Sequence, residues 1–67
     1  MKRFDVVEVI KGKMAGTSAR IAHIFDKKDV WEGKKRAGQI QLVFNDSNGM
    51  EHTFTTWAKW VDVVETY

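Results

Sequence analysis

The stretch Val7–Phe25, VEVIKGKMAGTSARIAHIF, decides the fold that this sequence predicts. Two segments with alternating apolar residues, a pattern typical of β-strands, flank the polar segment KGKMAGTS. The two glycines of that segment permit the positive φ angles that tight turns need. KGKMAGTS is therefore predicted to be a turn between two strands, and its lysines raise the question whether it also binds a ligand.

The same alternation continues along the chain, and no segment of about 11 residues has sustained helical spacing of apolar residues. Residues 26–37 are polar and charged and are predicted to be a long loop. Residues 45–49 end in Asn-Gly, a strong hairpin signal, and Thr56–Lys59 suits a single 3₁₀ turn. The five predicted strands are Phe4–Ile10, Ala19–Phe25, Gly38–Phe44, Met50–Thr56 and Trp60–Val64.

Five short strands in 67 residues predict one all-β domain spanning residues 1–67. Closing the strands into a barrel would protect the edges that such strands otherwise expose. We therefore predict a five-stranded, SH3-like antiparallel barrel with a one-turn 3₁₀ helix before the last strand, and an OB-type barrel is the alternative. Apolar alternation predicts one shared face in each of the first three strands: Val7 and Val9; Ala19, Ile21, His23 and Phe25; and the inward set Ile40, Leu42 and Phe44.

Several classes of protein are disfavoured by the composition. The chain has no cysteine, which excludes disulfides and thiolate metal sites. It has no apolar run of 18 residues that would span a membrane, and the acidic Asp5 and Glu8 argue against a signal peptide. We find no nucleophile elbow and no phosphate-binding loop motif. The expectation is a cytoplasmic, monomeric, non-enzymatic protein with no cofactor, no metal and no membrane partner.

The charges are distributed unevenly along the chain. Residues 1–37 contain ten Lys or Arg and five Asp or Glu, a net charge of +5, whereas residues 38–67 contain one Lys and four acids, a net charge of −3. Such asymmetry points to an anionic partner for one face of the protein. The alternative is a solvated surface on which the two halves interleave.

The N-terminal third resembles a known motif. Asp5–Ile21, DVVEVIKGKMAGTSARI, is similar to the KOW motif, with an acidic residue, alternating valines, a glycine, a loop, a second glycine and a hydrophobic strand. KOW domains are SH3-like barrels of ribosomal proteins and NusG-type elongation factors, so the resemblance implies that fold. Three positions depart from the motif: Phe4 and Ala19 replace common glycines, and Met14-Ala15 occupies the usually basic middle of the loop.

The basic residues of the first half form the candidate binding set. Cations at the first loop and in the 26–37 loop are expected to lie near one another and to bind phosphates of DNA or RNA, with binding that weakens as salt rises. Trp31, which lies among these lysines, is expected to stack on a base. The predicted nucleic-acid-binding residues are Lys11, Lys13, Arg20, Lys27, Lys28, Trp31, Lys34, Lys35 and Arg36.

Other interpretations remain open for the aromatic residues. Val30 and Trp31 are alternatively a cap on the open end of the barrel, with the lysines solvated around them. Trp57 and Trp60, three residues apart, are expected on one side, where they pack in the core, form an aromatic cage for a methylated lysine, or line a groove for a protein. The main functional alternative is a small protein-interaction module or a phage-type inhibitor that docks on a host protein through its aromatic and acidic surface.

The two histidines are predicted to be structural. His23 and His52 fall on inward or boundary positions of their strands and have no clear carboxylate companion. Catalytic zinc usually has three protein ligands, so two histidines alone make a poor zinc site. The preferred functional hypothesis is an accessory or regulatory protein that binds nucleic acid, with a further protein partner in the transcription, translation or nucleoid machinery.

Overall fold

The computed structural model describes residues 1–31 and 33–67, and the side chain of Trp31 lies outside this description. The described residues form short strands and one 3₁₀ turn, Ala58–Trp60. The strands are β1 Val6–Val9, β2 Ser18–Ile24, β3 Val30–Trp31, β4 Lys34–Lys35, β5 Gln39–Asn45, β6 Glu51–Trp57 and β7 Val61–Glu65. The described part of the chain contains no helix with the length and hydropathy of a membrane span.

Five strands form one antiparallel sheet in the order β6-β5-β2-β1-β7. They correspond to the five predicted strands, and the 3₁₀ turn lies before the last strand as predicted. The all-β antiparallel class is thus confirmed. Because β6 and β7 each pair with a single neighbour, they are the edges of an open sheet, and the strand pairing does not close it into a barrel.

The 3₁₀ turn connects the two edges of the sheet. At one end of the turn, the amide of Ala58 donates to the carbonyl of Gly38, 2.9 Å away, just before β5. At the other end, the amide of Ile10 donates to the carbonyl of Trp60, 2.7 Å away, just after β1. The turn therefore holds the β5–β6 side of the sheet close to the loop that follows β1.

The core lies on one face of the sheet. Buried side chains recur at every second strand position, because successive side chains of a strand point to opposite faces. Ile40 and Leu42 are buried as predicted, and Phe44 is half-buried against them. The buried cluster comprises Val7, Val9, Ala19, Ile21, Ile40, Leu42 and Val61.

Strand β2 departs from the predicted alternation. Its pairing with β5 shifts register between Ile21 and His23, as at a β-bulge. Phe25 is buried as expected, but the side chain of His23 is 47% exposed. The prediction of an inward or boundary His23 is therefore wrong: its ring packs edge-on against Phe25, 4.8 Å away, and lies in an open groove beside Asp29.

The 26–37 segment is not a structureless loop. It contains the two-residue strands β3 and β4, which pair antiparallel with Val30 opposite Lys35. Val30 is 60% exposed, so it does not cap the end of the sheet. The alternative role of Trp31 as a cap concerns a side chain that lies outside the described part of the structure.

Candidate nucleic-acid interface

Two lysines of the β1–β2 loop border a groove with an aromatic wall. It is lined by residues 11–14 of the loop, residues 54–56 of β6 and Trp60. The groove has a volume of about 330 Å³, and we call it the Trp60 groove. Lys11 and Lys13 are exposed at its border, so it combines positive charge with an indole ring.

One of the two loop glycines, Gly12, shapes the groove. Gly12 has φ +87°, and Gly16, whose amide donates to the carbonyl of Val9 at 2.7 Å, has φ +92°. A Cβ atom on Gly12 would lie 2.8 Å from Cζ3 of Trp60, whereas one on Gly16 would meet nothing within 4 Å. Glycine at position 12 therefore lets the indole lie against the loop backbone.

The structure separates the predicted basic residues into two sets. Lys11 and Lys13 precede β2, whereas the 26–37 segment, with Lys27, Lys28 and the exposed β4 lysines Lys34 and Lys35, follows it. The seven residues of β2 span about 20 Å at the rise of an extended strand. The two sets therefore attach to opposite ends of this strand, and the expected proximity of the two loops does not follow from the observed topology.

The two arginines of the predicted set have structural partners. Nη1 of Arg20 donates to the carbonyl of Phe4 at 2.7 Å, and Nη1 of Arg36 donates to Oε1 of Gln39 at 3.2 Å. Arg36 is half-buried, and its buried Nε has no hydrogen-bond partner among the described residues. Arg20 is exposed and keeps further guanidinium donors for a ligand, whereas Arg36 is mainly part of the fold.

The two C-terminal tryptophans have different surroundings. Trp60 lines the groove beside Gly12, whereas the ring of Trp57 lies beside Gly38, 3.7 Å from where its Cβ would be. Nζ of Lys59 lies 5.7 Å from the centre of the Trp57 ring. Since Trp57 does not line the Trp60 groove, the expectation of both rings on one side, and with it the shared aromatic cage, gains no support.

Each histidine has a carboxylate neighbour, contrary to the expectation from the sequence. Nε2 of His52 lies 2.8 Å from Oδ2 of Asp46, and Nε2 of His23 lies 3.5 Å from Oδ2 of Asp29. His52 is 48% exposed, so its predicted inward or boundary position is also wrong. Among the described residues, no three metal-ligating side chains converge.

Asp46 organises the hairpin turn that the Asn-Gly pair predicted. Its Oδ1 accepts hydrogen bonds from the amides of Asn48 and Met50, at 2.8 and 3.0 Å. The hydrogen bond from His52, followed by these amides, lowers the pKa of the Asp46 carboxyl below its ordinary value. Because a carboxylate only accepts, Nε2 of His52 carries the proton in this contact.

One exposed aromatic pair was missed by sequence reasoning. The Phe4 and Tyr67 rings lie 5.3 Å apart, and the guanidinium carbon of Arg3 lies 5.1 Å from the centre of the Phe4 ring. Arg3 also borders a second groove of about 570 Å³, which His23 and Asp29 line as well. Phe4 was the one feature of the sequence that could have indicated this pair, because it is a bulky residue at a position where the resembled motif often has glycine.

Comparisons of the chain with protein-family models, with curated protein sequences and with solved structures found no significant match. The functional argument therefore rests on the residues and the geometry of these surfaces.

Proposed function

We propose that this chain is a non-catalytic accessory or regulatory protein that binds nucleic acid, within the cytoplasm, on transcription, translation or nucleoid machinery. The observation that carries the proposal is the Trp60 groove, where two exposed lysines and an indole border one concave surface. Lysines supply phosphate contacts, and an aromatic ring supplies a stacking surface for a base. Since phosphate contacts carry no sequence information, we expect weak sequence preference.

We also propose that the fold is an SH3-like barrel of the KOW type. The strand order and the 3₁₀ turn that joins the two sheet edges support this assignment. Phe4 adds independent support: its φ of +72° is the left-handed conformation that glycine adopts readily, and the resembled motif often has glycine at that position. The finer family assignment predicts that the β1–β2 loop is the contact surface.

The rival proposal is a protein-interaction module, and one observation favours it. Strand β7 is a sheet edge, and its Val63 and Val64 side chains are exposed. An exposed edge offers unpaired backbone groups to an added strand of another protein. The acidic residues of the C-terminal half, Asp62 and Glu65 among them, lie on this same strand.

Binding to single-stranded and duplex DNA and RNA, measured at two salt concentrations, tests the proposed function. If two lysines contact phosphates, counterion release predicts an affinity loss of about tenfold between about 50 and 200 mM salt. Absence of binding to all four nucleic acids at the lower salt concentration would contradict the proposal and favour the protein-interaction module.

A further inference from the structure

Phe4 and Tyr67 form an exposed aromatic surface outside the buried core. Their side chains are 41% and 75% exposed, and their rings pack against each other at an interplanar angle of 54°. The two residues are brought together because β1 pairs with β7, with Val6 opposite Glu65. Neither ring belongs to the buried cluster, so this contact leaves much of both rings open to solvent.

The backbone of Phe4 is strained. Its φ of +72° makes it the only non-glycine residue with a positive φ among the described residues, and a bulky side chain disfavours that conformation. Hydrogen bonds on both sides hold it: the Phe4 amide donates to the carbonyl of Ile21 at 2.8 Å, and Arg20 donates to the Phe4 carbonyl. A strained position that displays an exposed ring is typical of a functional site rather than of core packing.

Cations surround this aromatic pair. Nε of Arg3 donates to the carbonyl of Ala22 at 2.9 Å, which fixes the guanidinium over Phe4, and Arg20 and Lys2 are exposed beside it. Of the nearby acids, Asp5 is buried, and its two oxygens accept the amides of Lys2 and Tyr67 at 2.9 Å. Glu65, opposite Val6, is one exposed acid on this side, and Asp29, which lines the groove beside Arg3, is another. Three cations against these two carboxylates leave a positive balance, which favours a polyanion as the occupant.

We propose that Phe4 and Tyr67 are a stacking platform for bases of single-stranded nucleic acid, with Arg3 and Arg20 binding the flanking phosphates. This inference rests on the proposed nucleic-acid function. It adds a second contact surface, formed by Phe4 before β1 and Tyr67 after β7, whereas the lysines of the Trp60 groove follow β1. Single strands present unstacked bases to aromatic rings, and a duplex keeps its base faces covered. The platform therefore makes the protein prefer single strands over duplex.

The test compares variants that remove a ring without removing the backbone hydrogen bonds. Phe4→Gly suits the positive φ, Phe4→Ala keeps the strain, and Tyr67→Ala keeps the amide that bonds Asp5. Binding to a fluorescent ten-nucleotide oligothymidylate and to a ten-base-pair duplex is measured by anisotropy at about 50 mM salt. We expect each variant to lose about 5- to 100-fold in affinity for the single strand, with the duplex affinity nearly unchanged.

Unfolding measurements separate binding from folding. Phe4→Gly is expected to have a higher urea midpoint than Phe4→Ala, because only glycine relieves the backbone strain. Equal affinity losses in these two variants, despite unequal stabilities, then assign the loss to the missing ring. In the wild type, the ring protons of Phe4 and Tyr67 should shift upfield in NMR spectra when the oligothymidylate is added.

Three outcomes would overturn the platform. In the first, the wild type binds nucleic acid, and the ring variants bind the oligothymidylate with the affinity of the wild type. The platform then fails while the proposed function stands. If the wild type binds neither strand form, both fail together. If decaglutamate binds as tightly as the oligothymidylate and with the same dependence on Phe4, the surface recognises an acidic protein segment instead of bases.

Discussion

Gly12 is the residue at which the fold and the proposed groove depend on each other most directly. Its positive φ and its closeness to Trp60 both require the absence of a side chain. Gly16, in the same loop, has a similar φ but open space around it. Substitutions at these two glycines can therefore separate two contributions to stability: the cost of backbone strain and the cost of displacing the indole.

We predict that Gly12→Ala destabilises the protein more than Gly16→Ala. The left-handed backbone costs about 1–2 kcal/mol for alanine at either position. At position 12 the contact with the indole adds about 1–3 kcal/mol, as overpacking does in other tightly packed sites. Urea unfolding of the two variants measures the difference, and equal destabilisation would show that Trp60 does not pack against the loop as described.

The lowered pKa values of Asp5 and Asp46 predict how the stability of the protein changes in acid. Hydrogen bonds from the Tyr67 and Lys2 amides and the Lys2 charge lower the pKa of Asp5 below its ordinary value of 3.8, and the His52 contact does so for Asp46. A carboxyl whose pKa is lower in the folded state stabilises the protein above the unfolded value, and this contribution disappears as the pH falls through the folded pKa. The urea midpoint should therefore decline below about pH 4.

Asp5→Asn is the matched variant for this prediction. It cannot ionise, and its amide group faces at least one of the two backbone N–H donors that the carboxylate accepts. It should be less stable than the wild type at neutral pH, and its urea midpoint should depend less on pH below pH 4. An acid profile identical in slope to that of the wild type would contradict the role assigned to Asp5.

At the scale of elements, the β3–β4 hairpin carries two exposed lysines on a strand of two residues. Lys34→Ala combined with Lys35→Ala should leave the free energy of unfolding within about 0.5 kcal/mol, because exposed charges contribute little to stability. If the hairpin contacts phosphates, the double variant binds every sequence more weakly. Unchanged affinity at about 50 mM salt would remove the hairpin from the interface.

Arg36→Ala is the contrasting variant for the hairpin. Its guanidinium bonds Gln39, and its backbone amide bonds the carbonyl of Asp29 at 3.3 Å. Unlike the lysine pair, this substitution should lower stability, because Arg36 is half-buried and hydrogen-bonded. A fully stable Arg36→Ala protein would contradict the structural role assigned to this arginine.

Sequence periodicity predicted the strands well and their irregularities poorly. Ile40 and Leu42 alternate over a seven-residue strand, which is long enough for the period of two to be recognised. The shift at His23 depends on how β2 pairs with β5, and this pairing is not encoded by neighbours in the sequence. The β3–β4 hairpin was missed because strands of two residues contain too little pattern to identify.

At the scale of the whole molecule, the candidate surfaces were predicted only in part. The first loop was identified because its lysines and glycines are adjacent in the sequence. Trp60, which completes the groove, and Tyr67, which packs on Phe4, are distant in sequence and reach their partners through the pairing of β1 with β7 and the preceding turn. The role of Trp31 stays a prediction, since its side chain lies outside the described residues.

The most direct test of the account is the salt dependence of nucleic-acid binding in a variant that combines Lys11→Ala with Lys13→Ala. Lys59→Ala is the control, because Lys59 is a lysine that does not line the Trp60 groove. If both groove lysines contact phosphates, the slope of log affinity against log salt falls in magnitude by about two in the double variant and stays unchanged in the control. An unchanged slope in the double variant would contradict the central claim that the Trp60 groove binds nucleic acid.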